Sequence, residues 1–197
     1  MASVLGSLLL SACSVVGIRS STEEPEFTVI ERVGALEIRT YAPRAAAETT
    51  VEAGEAAARS EGFRRLAGYI FGRNTGGGRI AMTAPVSQSI RLAMTSPVAQ
   101  SGSTIRFFLP SGLTADTAPL PLDERVRLVT VPGETVAVLR SAGSTAPVAV
   151  AGTQAALMAL VKNSGWVAEG SPYMWFYDPP WTLPPFRRNE AVVQVHR

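Results

Sequence analysis

The side chains able to do acid–base or ligand chemistry are few and widely spaced in this 197-residue chain. There is one histidine, His196, next to the last residue, and one cysteine, Cys13. A Ser–His–Asp arrangement would have to use a histidine at a chain end, where fraying is common. No run of His, Cys, Asp or Glu has metal-ligand spacing. Asp178 and Glu190 bracket the stretch Pro179-Pro180-Trp181-Thr182-Leu183-Pro184-Pro185-Phe186, and such a carboxylate pair could serve acid–base catalysis in a small hydrolase. The plainer reading lets Asp178 cap a turn and pairs Glu190 with Arg187 or Arg188. Gly72-Arg73-Asn74-Thr75-Gly76-Gly77-Gly78 lacks the Gly-Lys-Ser/Thr ending of a phosphate loop and opens into a strand-like segment, so it is not read as a phosphate cradle.

A doubled stretch stands out. Ile80-Ala81-Met82-Thr83-Ala84-Pro85-Val86 recurs as Leu92-Ala93-Met94-Thr95-Ser96-Pro97-Val98. Large apolar residues alternate in both copies, which predicts two strands disturbed near their prolines, with Ser87 to Arg91 as the hairpin connection. Met82 and Met94 would fill an irregular core or line a site.

The elements that must position these residues follow from periodicity. Strands are expected over 26–31, 36–41 and 45–53, and a helix over 55–71 with Phe63, Leu66, Ala67 and Ile70 as its apolar face. After 104–109 and a proline-bearing crossing over 110–123, strands are expected at 126–131 and 135–140. A helix over 147–163 begins at Pro147. Strands at 173–177 and 191–195 close the chain around the aromatic stretch containing Tyr173, Trp175, Tyr177, Trp181 and Phe186. Strand pair, helix, strand pair, twice over, predicts a pseudo-two-fold α+β domain. The charge of +2 is scattered over single Lys and Arg residues, which gives nucleic-acid binding no support.

Residues 1–13 read as a signal segment ending Leu10-Ser11-Ala12-Cys13, where small residues before a lone Cys suggest a lipidated Cys13. Its apolar run is too short to span a bilayer, and no Lys or Arg precedes it. Residues 14–25 would then be a polar tether and 26–197 a single domain. The expected location is the cell envelope, lipid-anchored on the periplasmic face. The outer membrane is mildly preferred because Ser14 is not Asp.

Several motifs in order resemble the SOUL haem-binding family: Leu36-Glu37-Ile38-Arg39-Thr40-Tyr41-Ala42-Pro43, Phe63 with Tyr69-Ile70-Phe71-Gly72-Arg73-Asn74, the doubled Met-Thr-Ala/Ser-Pro-Val, Val131-Pro132 with Val136-Ala137-Val138-Leu139-Arg140, and Tyr177-Asp178-Pro179-Pro180 with Arg187-Arg188-Asn189-Glu190. The resemblance implies a distorted antiparallel barrel of about eight strands with two helices. It also implies a non-catalytic protein that binds haem or another planar apolar tetrapyrrole in a groove beside the first helix. Phe63, Leu66, Ala67 and Ile70 would supply the wall, Arg59 or Arg64 would meet the propionates, and Met82 is a further candidate contact to the ligand. Two departures matter. Thr40 stands where one branch of the family has a proposed axial His, which leaves Met82, Met94, Tyr41 and Tyr69 as candidate iron ligands. Cationic positions of another branch fall on Ser60 and Gly68. Haem binding is therefore expected to be weak, non-coordinate or absent. The alternative function is a general binding module for hydrophobic or cationic small molecules.

Overall fold

The computed structural model describes residues 22–91, 102–179 and 181–197. Among these residues nine strands form one antiparallel sheet: β1 (Phe27–Val33), β2 (Leu36–Tyr41), β3 (Arg44–Glu52), β4 (Val86–Arg91), β5 (Gly102–Phe108), β6 (Arg127–Val131), β7 (Glu134–Ser141), β8 (Val167–Phe176) and β9 (Asn189–His196). Helix α1 (Glu55–Ile70) joins β3 to β4, and α2 (Pro147–Lys162) joins β7 to β8. The strand order is β1-β2-β7-β9-β8-β4-β5-β3-β6. Leaving out β1, this order is a palindrome about the β8–β4 pair: β7-β9-β8 mirrors β3-β5-β4, with β2 and β6 at corresponding ends. The expected pseudo-two-fold α+β domain is thus present. The described sheet has nine strands where about eight were expected, and, curled without closing, it fits the expected distorted barrel-like fold.

Alternation along the strands sorts side chains between two faces. On one face Leu36, Ile38, Ala137, Ala191 and Val193 pack under α2 with Leu157 and Val161. On the same face Ala47, Ile105 and Phe107 pack under α1 with Leu66, Tyr69 and Ile70. The residues one step along point the other way: Tyr41, Ala46, Phe108, Val136, Val138, Trp175 and Val192 form a third buried cluster. Neither α1 nor α2 covers that cluster. Strands of both halves contribute to it, so the curl of the sheet itself encloses it.

The doubled stretch behaves differently from the expectation. Ile80 to Pro85 is not a strand; it makes a single bridge, at Thr83, and contains a cis Ala84–Pro85 bond. The ladder begins at Val86, and the residues read as a connection, Ser87 to Arg91, are the central strand β4 between β5 and β8. Pro85 has no N–H for a ladder, so the strand starts after it. Met82 is exposed rather than in the core. The second copy, with Met94, lies outside the described residues, as does Cys13.

The glycine-rich loop after α1 is tied to the helix. The Asn74 amide donates to Tyr69 O and Gly78 O, each at 2.9 Å, and Gly76 N–H donates to its Oδ1 at 3.1 Å. Gly72 has φ 115°, a conformation disfavoured for side-chain-bearing residues, which turns the chain out of the helix. Within the expected tether, Glu23 accepts a hydrogen bond from Ser111 N–H and Glu24 pairs with Arg188, so these residues lie against the domain. No helix among the described residues is long and apolar enough to cross a membrane.

Candidate functional site

α1 presents its sheet-facing stripe at Ala58, Gly62, Leu66, Tyr69 and Ile70. Leu66 and Ile70, expected in a groove wall, are instead core, with exposures of 0% and 2%. The apolar face predicted from spacing is wide, and the sheet takes its centre. Ala67 is half-buried and lines none of the cavities described below. Phe63, one step round the helix, is half-buried, sets its ring edge-on to Phe107 at 5.3 Å, and keeps a side open.

That open side faces a cleft of about 280 Å³ between α1, β8 and the stretch that carries Pro179 and Trp181, here called the Pro-Trp loop (178–186). Phe63, Phe176, Val86, Pro179 and Trp181 give it apolar walls, and Arg59, Arg187, Ser60, Thr145 and Asp178 give it polar points. Trp181 is 60% exposed and stands at its mouth. Arg59 lies with its guanidinium 4.7 Å from the Phe176 ring centroid, a cation–π distance. Arg59 Nη2 donates to Thr145 O at 3.0 Å and Nη1 to Gln88 Oε1 at 3.4 Å, while Gln88 is itself anchored on Glu55 O at 2.9 Å. Both acceptors are neutral, and among the described residues Arg59 has no salt bridge. Burial lowers its pKa, which leaves a guanidinium that is still charged but poorly compensated. Such a cation beside apolar rings suits the carboxylate of a flat, largely apolar ligand. At this volume the cleft admits an edge of a macrocycle and leaves the rest exposed.

The other candidates are placed elsewhere. Arg64 is exposed and pairs with Glu61, away from the cleft. Met82 is exposed and is not in the lining, and Tyr41 lies on the opposite face of the sheet. Tyr69 is buried, and its hydroxyl donates to Pro119 O at 2.9 Å. His196 sits at the end of β9, opposite Val167. Among the described lining residues there is no His, Cys, Met or Tyr, so the cleft fits a porphyrin edge and its propionate but supplies no axial iron ligand.

The carboxylate pair is also explained. Asp178 accepts the Arg188 N–H at 2.6 Å. Glu190, wholly buried, accepts from Arg39 Nη1 at 2.9 Å, from the Tyr177 hydroxyl at 2.7 Å and from Arg188 Nε at 3.0 Å. The pairing with Arg188 was legible in sequence, but Arg39 was not. These donors occupy both Glu190 oxygens and leave it no contact with solvent. Sequence reading also missed Val86, Thr145 and Phe176 as cleft residues. Only the aromatic richness around Trp181 hinted at them.

The sequence pattern of the SOUL heme-binding protein family matches residues 22–194. No curated protein matches the chain. Among solved structures, the chain resembles the C-terminal domain of EcmrR with TM-score 0.62 and 11% identity, over 82% of this chain and 97% of that one. It resembles EcmrR in its complex with DNA with TM-score 0.61 and 12% identity, over 85% of this chain but 60% of that one. A protein from Listeria innocua described as a hydrolase gives TM-score 0.53 and 11% identity, over 90% of this chain and 94% of that one. At such identities the likeness is one of fold. The family match covers most of the described chain, and on that ground the chain belongs to the SOUL heme-binding protein family.

Proposed function

We propose that the protein binds haem or a related tetrapyrrole, without catalysis, by seating one edge of the macrocycle in the cleft between α1 and the Pro-Trp loop. The observation that carries this reading is Arg59: a half-buried guanidinium, held by neutral acceptors and laid over Phe176, at the edge of a cleft walled by Phe63 and Trp181. A propionate would meet Arg59 while the ring face lies on the aromatic residues. With no iron ligand in the lining, affinity comes from stacking and the carboxylate, so iron-free protoporphyrin should bind about as well as hemin. Titration of hemin into the purified protein should give a saturable Soret shift, and Phe63→Asp should abolish it while circular dichroism stays unchanged. A spectrum of free or aggregated hemin alone, with the wild-type protein folded, would sink the reading.

The same proposal places the domain in the cell envelope on a lipid anchor at Cys13. The Leu10-Ser11-Ala12-Cys13 sequence supports it. Labelled palmitate should enter the wild type and not Cys13→Ala. Equal labelling of both would remove the anchor from the proposal.

A further inference from the structure

The concave face, opposite the cleft, holds an arrangement that haem binding does not use. Arg44, the first residue of β3, turns its side chain inward with only 9% exposure and pairs with Glu134 at the start of β7. Its guanidinium carbon lies 4.1 Å from the Tyr41 ring centroid, 4.5 Å from that of Phe108 and 5.7 Å from that of Trp175. The three rings are themselves buried, and Tyr41 and Phe108 each meet Trp175 edge-on, at 5.3 and 6.3 Å. The Tyr173 hydroxyl donates to the other Glu134 oxygen at 3.4 Å. A cation surrounded by ring faces, with one carboxylate at the side, is the geometry in which proteins hold organic cations.

The occupant fits this cage incompletely. Arg44 Nε and Nη1 are buried with no hydrogen-bond acceptor among the described residues, and neither has Trp175 Nε1. A buried donor left unmet disfavours the arrangement that buries it. Arg39, on the strand that precedes β3 in the chain, shows the contrast: it is also buried but bonded to both Glu37 and Glu190. Arg44 is also the residue shared between this cage and a neighbouring cavity of about 680 Å³, whose lining includes Glu23, Glu24, Glu26 and Asp116. Carboxylates along such an approach raise the local concentration of cations.

We propose that Tyr41, Phe108, Trp175 and Glu134 form a second binding site, for a planar organic cation of the guanidinium or amidinium class, which the chain's own Arg44 fills when no such ligand is bound. Ligand and Arg44 compete for the same rings and carboxylate. The site lies on the other face of the sheet from the tetrapyrrole cleft, since Trp175 and Phe176 are successive residues of β8 and point to opposite sides. It stands or falls independently of haem binding.

Benzamidinium, followed by calorimetry on the full chain, tests this. Wild type should bind it saturably but weakly, and Arg44→Ala should bind at least about tenfold more tightly, because the ligand no longer displaces a resident cation. The neutral analogue benzamide should bind neither. Arg44→Ala/Glu134→Gln should lose the gain. Folded Arg44→Ala with unchanged affinity, or a gain that survives Glu134→Gln, overturns the proposal. Arg44→Met, which retains an apolar stem, is the second variant should Arg44→Ala fail to fold. If neither folds, Trp175 fluorescence in a Trp166→Phe/Trp181→Phe chain decides: saturable quenching by benzamidinium that Glu134→Gln removes supports the site, and quenching linear in concentration sinks it.

Discussion

Glu190→Ala should lower the free energy of unfolding by about 3–5 kcal/mol, the cost of leaving a buried charge unpaired. Its side chain is 0% exposed and that of Arg39 5%, and the two are joined by hydrogen bonds at 2.9 and 3.2 Å. Removing the carboxylate strands Arg39 with only Glu37, frees Arg188 from one of its partners and leaves the buried Tyr177 hydroxyl without an acceptor. The comparison that isolates this cause is Arg39→Met/Glu190→Leu. Replacing both charges with apolar groups should recover a large part of the loss, because no unmet charge remains. A double variant as unstable as Glu190→Ala would mean that packing rather than charge sets the cost.

The same carboxylate sets a pH dependence. Burial by itself raises the Glu190 pKa, but the hydrogen bond and charge of Arg39, the charge of Arg188 and the Tyr177 hydroxyl outweigh it and hold the carboxyl below the usual glutamate range. A group whose pKa is lower folded than unfolded contributes stability that is present above its unfolded pKa and lost as pH falls. Chemical unfolding midpoints should therefore decline as pH drops through the ordinary glutamate range near pH 4 and below, and Glu190→Gln should show a shallower decline.

Gly62→Ala is the second large effect, and its sign is opposite to helix propensity. In a free helix this change should stabilise by about 1 kcal/mol. Here a Cβ on Gly62 would lie 2.3 Å from Ile105 Cγ1 and 2.9 Å from its Cβ, and Ile105 is wholly buried in β5. The near atoms belong to the stem of a β-branched side chain, which cannot rotate out of the way. α1 must shift off the sheet, and overpacking of this kind costs about 1–3 kcal/mol net. Arg59 and Phe63 ride on the same helix, so the shift should also weaken porphyrin binding, read as a higher hemin concentration at half-saturation. Ile105→Ala in the Gly62→Ala background should restore part of both. A Gly62→Ala protein as stable as wild type, with unchanged hemin binding, would show that the helix can move without consequence.

Where residues repeat with a clear period, the sequence reading and the structure agree. Leu36 and Ile38 alternate with Glu37 and Arg39 in β2, and both helices end within a residue of their expected bounds. The central strand β4 escaped because its residues are polar: Ser87 and Gln88 are buried, yet neither looks like core in a one-dimensional pattern. Gln88 is tolerated there because its amide bonds Glu55 O and the side chain of Arg59. The apolar Met-bearing copy beside it drew attention as a strand but carries no ladder.

The sequence by itself determined the pseudo-two-fold order of elements, the family and which helix flanks the cleft, because these depend on local periodicity and on motifs read in order. Only the tertiary structure decided which polar side chains are enclosed. Arg39 and Glu190 stand 151 residues apart, on strands that flank β7. Arg44 reaches Phe108 and Trp175 because β3 and β8 lie on either side of the β4–β5 pair in a sheet that curls. Alternation fixes the face on which a side chain emerges. Whether that face meets water, a helix or the far half of its own sheet is set by curvature, which no short stretch of residues encodes.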